Sequence, residues 1–246
     1  MLENKKMKIN MELSKKIISQ RTRMWYKSRA GKFTASNFGK LMTMPRNKND
    51  FWSKTSLNYI EKTAMEEYFD DYYIRPDNKY TAWGTDHEAE ALDAFCRATG
   101  FHQEDTGFLI HPEIAEIGAT PDAKIIENSA RNEIVIAQVK CPYNSANHLK
   151  YLNRINNAES LKQVKKDYYW QMQGEMWVSG ANYAYFISYD PRQSSNTSLH
   201  YVIIHRNEND IETMHQQIIN AFELKKEMIN EMKQGQRKPK SLDSFW

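Results

Sequence analysis

The chain has 246 residues, 40% of them apolar, and a formal net charge of +3. That length suits one sizeable core, and so mild a charge does not by itself select nucleic acid as a partner. Two cysteines exclude a disulfide framework or a cysteine-built zinc site and fit a reducing cytoplasm; with no apolar run near about 18 residues, a membrane span is not expected.

Charge is unevenly placed. Lys and Arg gather in 21–48, 162–166 and 225–240, and acids in 61–71 and 86–93. A basic groove beside an acidic site has that pattern, as do ordinary solvated faces.

In chain order, residues 1–20 are a Lys- and Met-rich extension with the character of a loose helix. The chain then turns at Gly31, and Thr34 is placed to cap a helix running to Leu41. A helix start flanked by Arg29 and Ser36 suits a phosphate, though a capped surface helix with solvated basic residues fits equally well. A basic loop at 45–49 leads into an amphipathic helix over 52–69. Thr85 and Glu88 have the spacing of a capping box at the start of a helix that stops at Gly100. Its apolar stripe is Leu92, Phe95, Cys96 and Thr99. Glu88 falls on that stripe, so it either caps the helix or aims a carboxylate inward, whereas His87 reads as surface. Short strands are expected over 106–110 and 114–119. After them the spacing predicts helices over 145–151 and 161–179, strands over 182–189 and 199–205, a helix over 211–232 and a mobile basic tail from 234. The order of elements implies an α/β or α+β fold with a central mixed sheet flanked by helices, in one domain over 1–246.

The stretch from Gly118 to Pro142 reads as a strand, a polar turn over 128–132, and a second strand that is almost uniformly apolar. Such a strand is buried on both faces, yet Gln138 and Lys140 sit near its end and share one face. Burying an amide and an ammonium requires partners, and Asp122 on the preceding strand is the nearest candidate. A carboxylate, a second oxygen ligand and a lysine at a sheet edge suit a hydrated Mg2+ that activates water against phosphate. The plain alternative is a hairpin with a solvated Asp and a lysine that snorkels outward. Gln171, on the 161–179 helix, has an amide able to reach substrate or the lysine.

Pro121-Asp122 followed by Gln138-Val139-Lys140 resembles the PD-(D/E)-x-K nucleases, with glutamine where an acid is expected. More specific stretches follow in order: Trp25 through Arg29-x-Gly31-x-x-Thr34-Ala35-Ser36, Pro45-Arg46, Ala82-Trp83-Gly84 and Glu88, Thr120-Pro121-Asp122, Val139-Lys140-Cys141-Pro142, Gln171-Met172-Gln173, and Tyr189-Asp190-Pro191-Arg192. Together these resemble the lambda-phage exonuclease family, the YqaJ-like viral recombinase nucleases, over roughly 21–230. The resemblance implies a restriction-endonuclease-like core and a Mg2+-dependent (or Mn2+-dependent) processive 5′→3′ exonuclease. Its substrate would be double-stranded DNA ends, and its product 3′ overhangs for a phage single-strand annealing protein. It further implies a ring-shaped homotrimer in the host cytoplasm. By position, Asp122, Gln138 and the Val139 carbonyl would hold metal, and Lys140 would orient or deprotonate water. Arg29, Thr34 and Ser36 would hold the 5′-phosphate, Arg46 would reach the DNA, and Glu88, Gln171 and Gln173 would border the site.

Gln138 departs from the family. It is nearly isosteric with glutamate but neutral, so metal should bind more weakly and turnover should fall. Two accounts fit: an engineered Glu→Gln exchange that traps a complex, or a native glutamine with Glu88 or another acid supplying the charge. A non-catalytic DNA-end-binding protein of the same fold is the competing reading.

Overall fold

The computed structural model describes residues 18–72, 74, 78–127 and 133–237. The expected turn over 128–132, most of the N-terminal extension and the end of the basic tail lie outside the described residues. Helix α1 (Arg23–Arg29) leads to the short strand β1 (Phe33–Thr34), then to α2 (Ala35–Leu41), α3 (Lys54–Phe69) and α4 (Lys79–Thr99). Strands β2 (His102–Glu104), β3 (Leu109–Ile110), β4 (Ile117–Ala119), β5 (Ala123–Ile126) and β6 (Val135–Lys140) follow. The chain continues through α5 (Ser145–Arg154), α6 (Ala158–Val164), α7 (Lys166–Ser179), β7 (Tyr183–Tyr189), β8 (Leu199–His205) and α8 (Glu208–Lys233).

Two sheets form. One has the order β1-β4-β3 and the other β2-β5-β6-β7-β8, in which β6 and β7 run parallel and the remaining neighbours antiparallel. This is the mixed-sheet α+β architecture expected. β6 is central and Val135 to Val139 are buried, as a β-branched run covered on both faces should be. Ile136, Ala184 and Phe186 face a core built with α2, α3, α7 and α8, whereas Ala137, Val139 and Ile187 face α4 through Ala91, Leu92 and Phe95. Because side chains alternate, Gln138 and Lys140 project to the α7 side.

Several local expectations are corrected. α4 begins at Lys79, and its capping box pairs Asn78 with Thr81. Thr85 therefore lies inside the helix, where its hydroxyl donates to the Thr81 carbonyl, and Glu88 caps nothing. The strand expected over 106–110 is only Leu109–Ile110, that over 114–119 is only Ile117–Ala119, and β2 was not anticipated. The single helix over 161–179 is two, broken at Lys165, whose extended φ of −147° ends α6. The start of the tail is held: Arg237 pairs with Glu231 at 2.8 Å and Glu61 at 3.9 Å. Among the described residues no helix is long and apolar enough to cross a membrane.

Candidate active site

β4 belongs to the three-stranded sheet and β5 to the five-stranded one, and Thr120-Pro121-Asp122 spans the bend between them. Proline cannot extend a ladder, so the strand breaks there and Asp122 is presented at the seam. The Asp122 amide donates to the Ala137 carbonyl at 3.0 Å, which fixes the carboxylate beside β6. Its Oδ2 accepts from the Val139 N–H at 2.7 Å and from the Gln138 amide. Gln138 Oε1 in turn accepts from Gln171 Nε2 at 2.7 Å, and Lys140 Nζ donates to Gln171 Oε1 at 3.3 Å. The Lys140 ammonium also lies 4.7 Å from the centre of the Tyr168 ring.

These groups open on a cavity of about 700 Å³ whose walls include Glu88, Asp122, Gln138, Lys140, Lys165 and Tyr168. Glu88 does face it, but paired at 3.2 Å with Arg21, a residue with φ +64° that also lines the cavity. Burial, and next the charge of Glu88, push the Asp122 carboxyl up to about 7, against the opposing pull of Lys140, the Val139 N–H and Arg21.

Arg29, Thr34 and Ser36, the residues expected at a phosphate, lie together. Arg29 donates to Ser36 Oγ at 3.2 Å and to Thr120 Oγ1 at 2.9 Å, and its guanidinium lies 4.0 Å from the centre of the Trp25 ring. Trp25 Nε1 donates to the same Thr120 hydroxyl at 3.2 Å. Burial draws the Arg29 guanidinium down to about 10, which leaves it charged at neutral pH. The helix start contributes little. α2 has 7 residues and Thr34, although at its N-cap, makes no capping bond. Thr34 Oγ1 accepts instead from Asn37 at 3.1 Å, while its backbone N–H donates to the Tyr59 hydroxyl.

Asp122, Gln138, Val139, Lys140 and Gln171 are thus brought together, with Glu88 at the rim. Gln173 is not with them. It is fully buried, bonded to the His205 carbonyl at 3.0 Å and the Asn207 N–H at 2.8 Å, and ties α7 to the β8–α8 connection. Arg46 is exposed on the loop between α2 and α3 and is not among the residues lining the cavity.

Three residues escaped the sequence reading. Arg21 gives no signal in the chain, and Thr120 was quoted in a motif without a role. Glu175 is 1% exposed on α7, one turn beyond Gln171, whose Nε2 donates to its Oε1 at 2.8 Å. Its Oε2 is buried without a hydrogen-bond partner among the described residues. Burial, and then the charge of Asp122, hold this carboxyl well above the usual range.

Among the described residues no three His, Cys, Asp or Glu side chains cluster as a ready-made metal cage. The donors lining the cavity are nonetheless oxygens suited to a hard divalent cation, Asp122 and the Val139 carbonyl, with the Glu175 carboxyl behind Gln171. That carbonyl projects to the same strand edge as the N–H already bonded to Asp122. Asp122 is half-buried and Glu175 buried, and burial and a neighbouring acid raise both carboxyls. The set therefore fits such an ion.

The model of the YqaJ-like viral recombinase domain matches residues 24–182. The fold is similar to that of an alkaline exonuclease (LHK-Exo) from Laribacter hongkongensis, with TM-score 0.73, 24% identity, and 87% of this chain and 97% of that one covered. The same values hold for LHK-Exo in complex with dAMP. A phage related exonuclease from Haemophilus somnus 129PT gives TM-score 0.64 and 21% identity, over 82% of this chain and 96% of that one. No curated protein matches.

Proposed function

The chain belongs to the YqaJ-like viral recombinase domain family, and on that premise we propose that it is a divalent-metal-dependent 5′→3′ exonuclease on double-stranded DNA ends. The observation that carries this is one short segment. Thr120 anchors the Arg29–Ser36 seat, and two residues later Asp122 stands beside Gln138 and Lys140 at the cavity.

In this reading Arg29, with Ser36 beside it, receives the terminal 5′-phosphate through charge-assisted hydrogen bonds. Lys140, held by Gln171 over Tyr168, orients the attacking water and donates to the scissile phosphate as charge builds there. Asp122 and the Val139 carbonyl would hold Mg2+, or Mn2+ in its place, and the ion would neutralise charge on that phosphate. Gln138 is a weak candidate ligand as it stands, because its oxygen is taken by Gln171 and its amide nitrogen is turned to Asp122. Lys165 and Arg21 at the cavity wall suit backbone contacts, which carry no sequence preference. A 3′ overhang handed to a single-strand annealing protein, and a homotrimeric ring around the duplex, complete the reading by family resemblance.

The test is digestion of a linear, 5′-phosphorylated duplex in Mg2+, with EDTA and a covalently closed circle as controls. Loss of the 5′-ended strand from the linear duplex only, abolished by EDTA, supports the proposal. Equal cutting of the circle sinks it. Gln138 favours one second reading, an end-binding protein without turnover. Duplex ends bound but not degraded, by this chain and by Gln138→Glu alike, would establish that reading.

A further inference from the structure

The neutral residue at 138 leaves the site one acid short, and the structure holds a buried acid whose second carboxylate oxygen has no hydrogen-bond partner among the described residues. We propose that Glu175 supplies, from helix α7, the negative charge that strand β6 lacks at Gln138, and so sets the affinity of this site for its divalent cation. The inference rests on the metal-dependent reading above.

Position comes first. Gln171 Nε2 donates to both Gln138 Oε1, at 2.7 Å, and Glu175 Oε1, at 2.8 Å. The two side-chain heads therefore flank a single NH2 group, and charge placed on one lies close to charge placed on the other. Gln138 reaches Asp122 directly, so the path from Asp122 to Glu175 is Asp122–Gln138–Gln171–Glu175, all through hydrogen bonds.

Compensation comes second. A carboxylate out of water needs a cation or a full set of donors. Among the described residues Glu175 has one donor on Oε1 and none on Oε2, and the more distant charges of Lys140 and Arg29 do not offset its burial. Glu88, which lines the cavity beside Asp122, is 26% exposed at its side chain and paired with Arg21, so it already has the water and the cation that Glu175 lacks. A buried acid kept without a partner is costly unless a ligand completes it. The only missing partner that the neighbouring Asp122 would share is a cation. A glutamine at 138 beside a glutamate at 175 then keeps the charge of the site while moving it from strand to helix.

The experiment is titration of the full-length protein with Mn2+ in the absence of DNA, by calorimetry or by the spin-resonance signal of the free ion, alongside thermal unfolding in metal-free buffer. Glu175→Gln should weaken Mn2+ binding by roughly 10- to 100-fold, the range for groups that act around metal ligands. It should melt no lower than the parent without metal, because the amide keeps the shape of the carboxyl with no charge to bury. The double variant Gln138→Glu/Glu175→Gln should regain most of the affinity. Unchanged Mn2+ affinity in Glu175→Gln, with a lower melting temperature, would overturn the proposal and make Glu175 a structural residue. If Glu175→Gln does not fold, Gln138→Glu alone decides: little gain in affinity is expected, and a large gain would show that no acid had been acting there. A parent protein that binds no Mn2+ at all would remove the metal-dependent reading itself, a result distinct from equal binding by parent and variant.

Discussion

Arg29 carries the heaviest load of any single residue in the proposed reading, because it makes the phosphate seat and is itself held by Thr120 and Trp25. Hydrogen bonds to charged groups contribute about 1.5–3 kcal/mol each. Arg29→Ala should therefore reduce the rate ratio between 5′-phosphorylated and 5′-hydroxyl ends by roughly 10- to 100-fold. Single-turnover digestion of the two substrates measures it, and an unchanged ratio would show the seat lies elsewhere. Lys140→Met should leave duplex binding in place while turnover falls by roughly 10²- to 10⁴-fold, the usual worth of a positioned proton donor. Equal loss of binding and turnover would demote Lys140 to a phosphate contact. The period of two made Gln138 and Lys140 legible in the sequence as neighbours on one face, and Gln171 was within reach of them by chain logic alone. Glu175 was not legible, since a glutamate on a helix ordinarily reads as solvated and only its position one turn from Gln171 ties it to the site. Gln173 misled for the reverse reason: it shares a motif with Gln171, but two positions along a helix turn a side chain to another face.

At the scale of elements, α7 matters most because it brings Gln171 and Glu175 to β6 and packs tightly against α2. A methyl group added at Gly174 would run into the Phe38 ring and come within 3.2 Å of the Ala35 Cβ. The helix-propensity gain of Gly174→Ala, about 1 kcal/mol, is smaller than an overpacking cost of roughly 1–3 kcal/mol. Net destabilisation in a denaturant titration is expected. The β7–β8 turn is pinned differently. The Asp190 side chain is inaccessible, and Arg192 donates to it at 2.7 and 3.0 Å while reaching the Pro142 carbonyl and lying 4.4 Å from the centre of the Trp83 ring. Burial alone would raise this carboxyl, but the hydrogen bonds and charge of Arg192, with Ser145, outweigh it and hold it at about 2. A depressed carboxyl stabilises the fold above its unfolded value and loses that contribution as pH falls through the folded one. The free-energy gap between the parent and Asp190→Asn should be roughly 2 kcal/mol at neutral pH and close between about pH 4 and pH 2. A gap independent of pH would show that packing, not charge, holds the turn. Such elements were readable where apolar period and glycine stops agree, as in β8 and the Gly100 and Gly180 helix ends. Two other features hid from the sequence. Thr85-x-x-Glu88 imitates a helix start within α4, and the break at Lys165 is conformational, with no proline or glycine to mark it.

For the whole molecule, the two faces of the central sheet divide the labour. The α4 face is almost entirely packing, while the α7 face carries Gln138, Lys140 and their partners. One sheet therefore carries both the packing and the candidate site. The bend between the two sheets has a consequence of its own. From Thr120, which holds Arg29, to Asp122 is two residues of chain, a span of at most about 7 Å. In the proposed reading covalent geometry then acts as a gauge: whatever end is seated at Arg29, the bond attacked lies at one short reach from it. The increment released per cycle should be a single nucleotide on every sequence, as resolved by chromatography of the acid-soluble product, and mixed-length fragments would mean that the strand is cut before its end is seated.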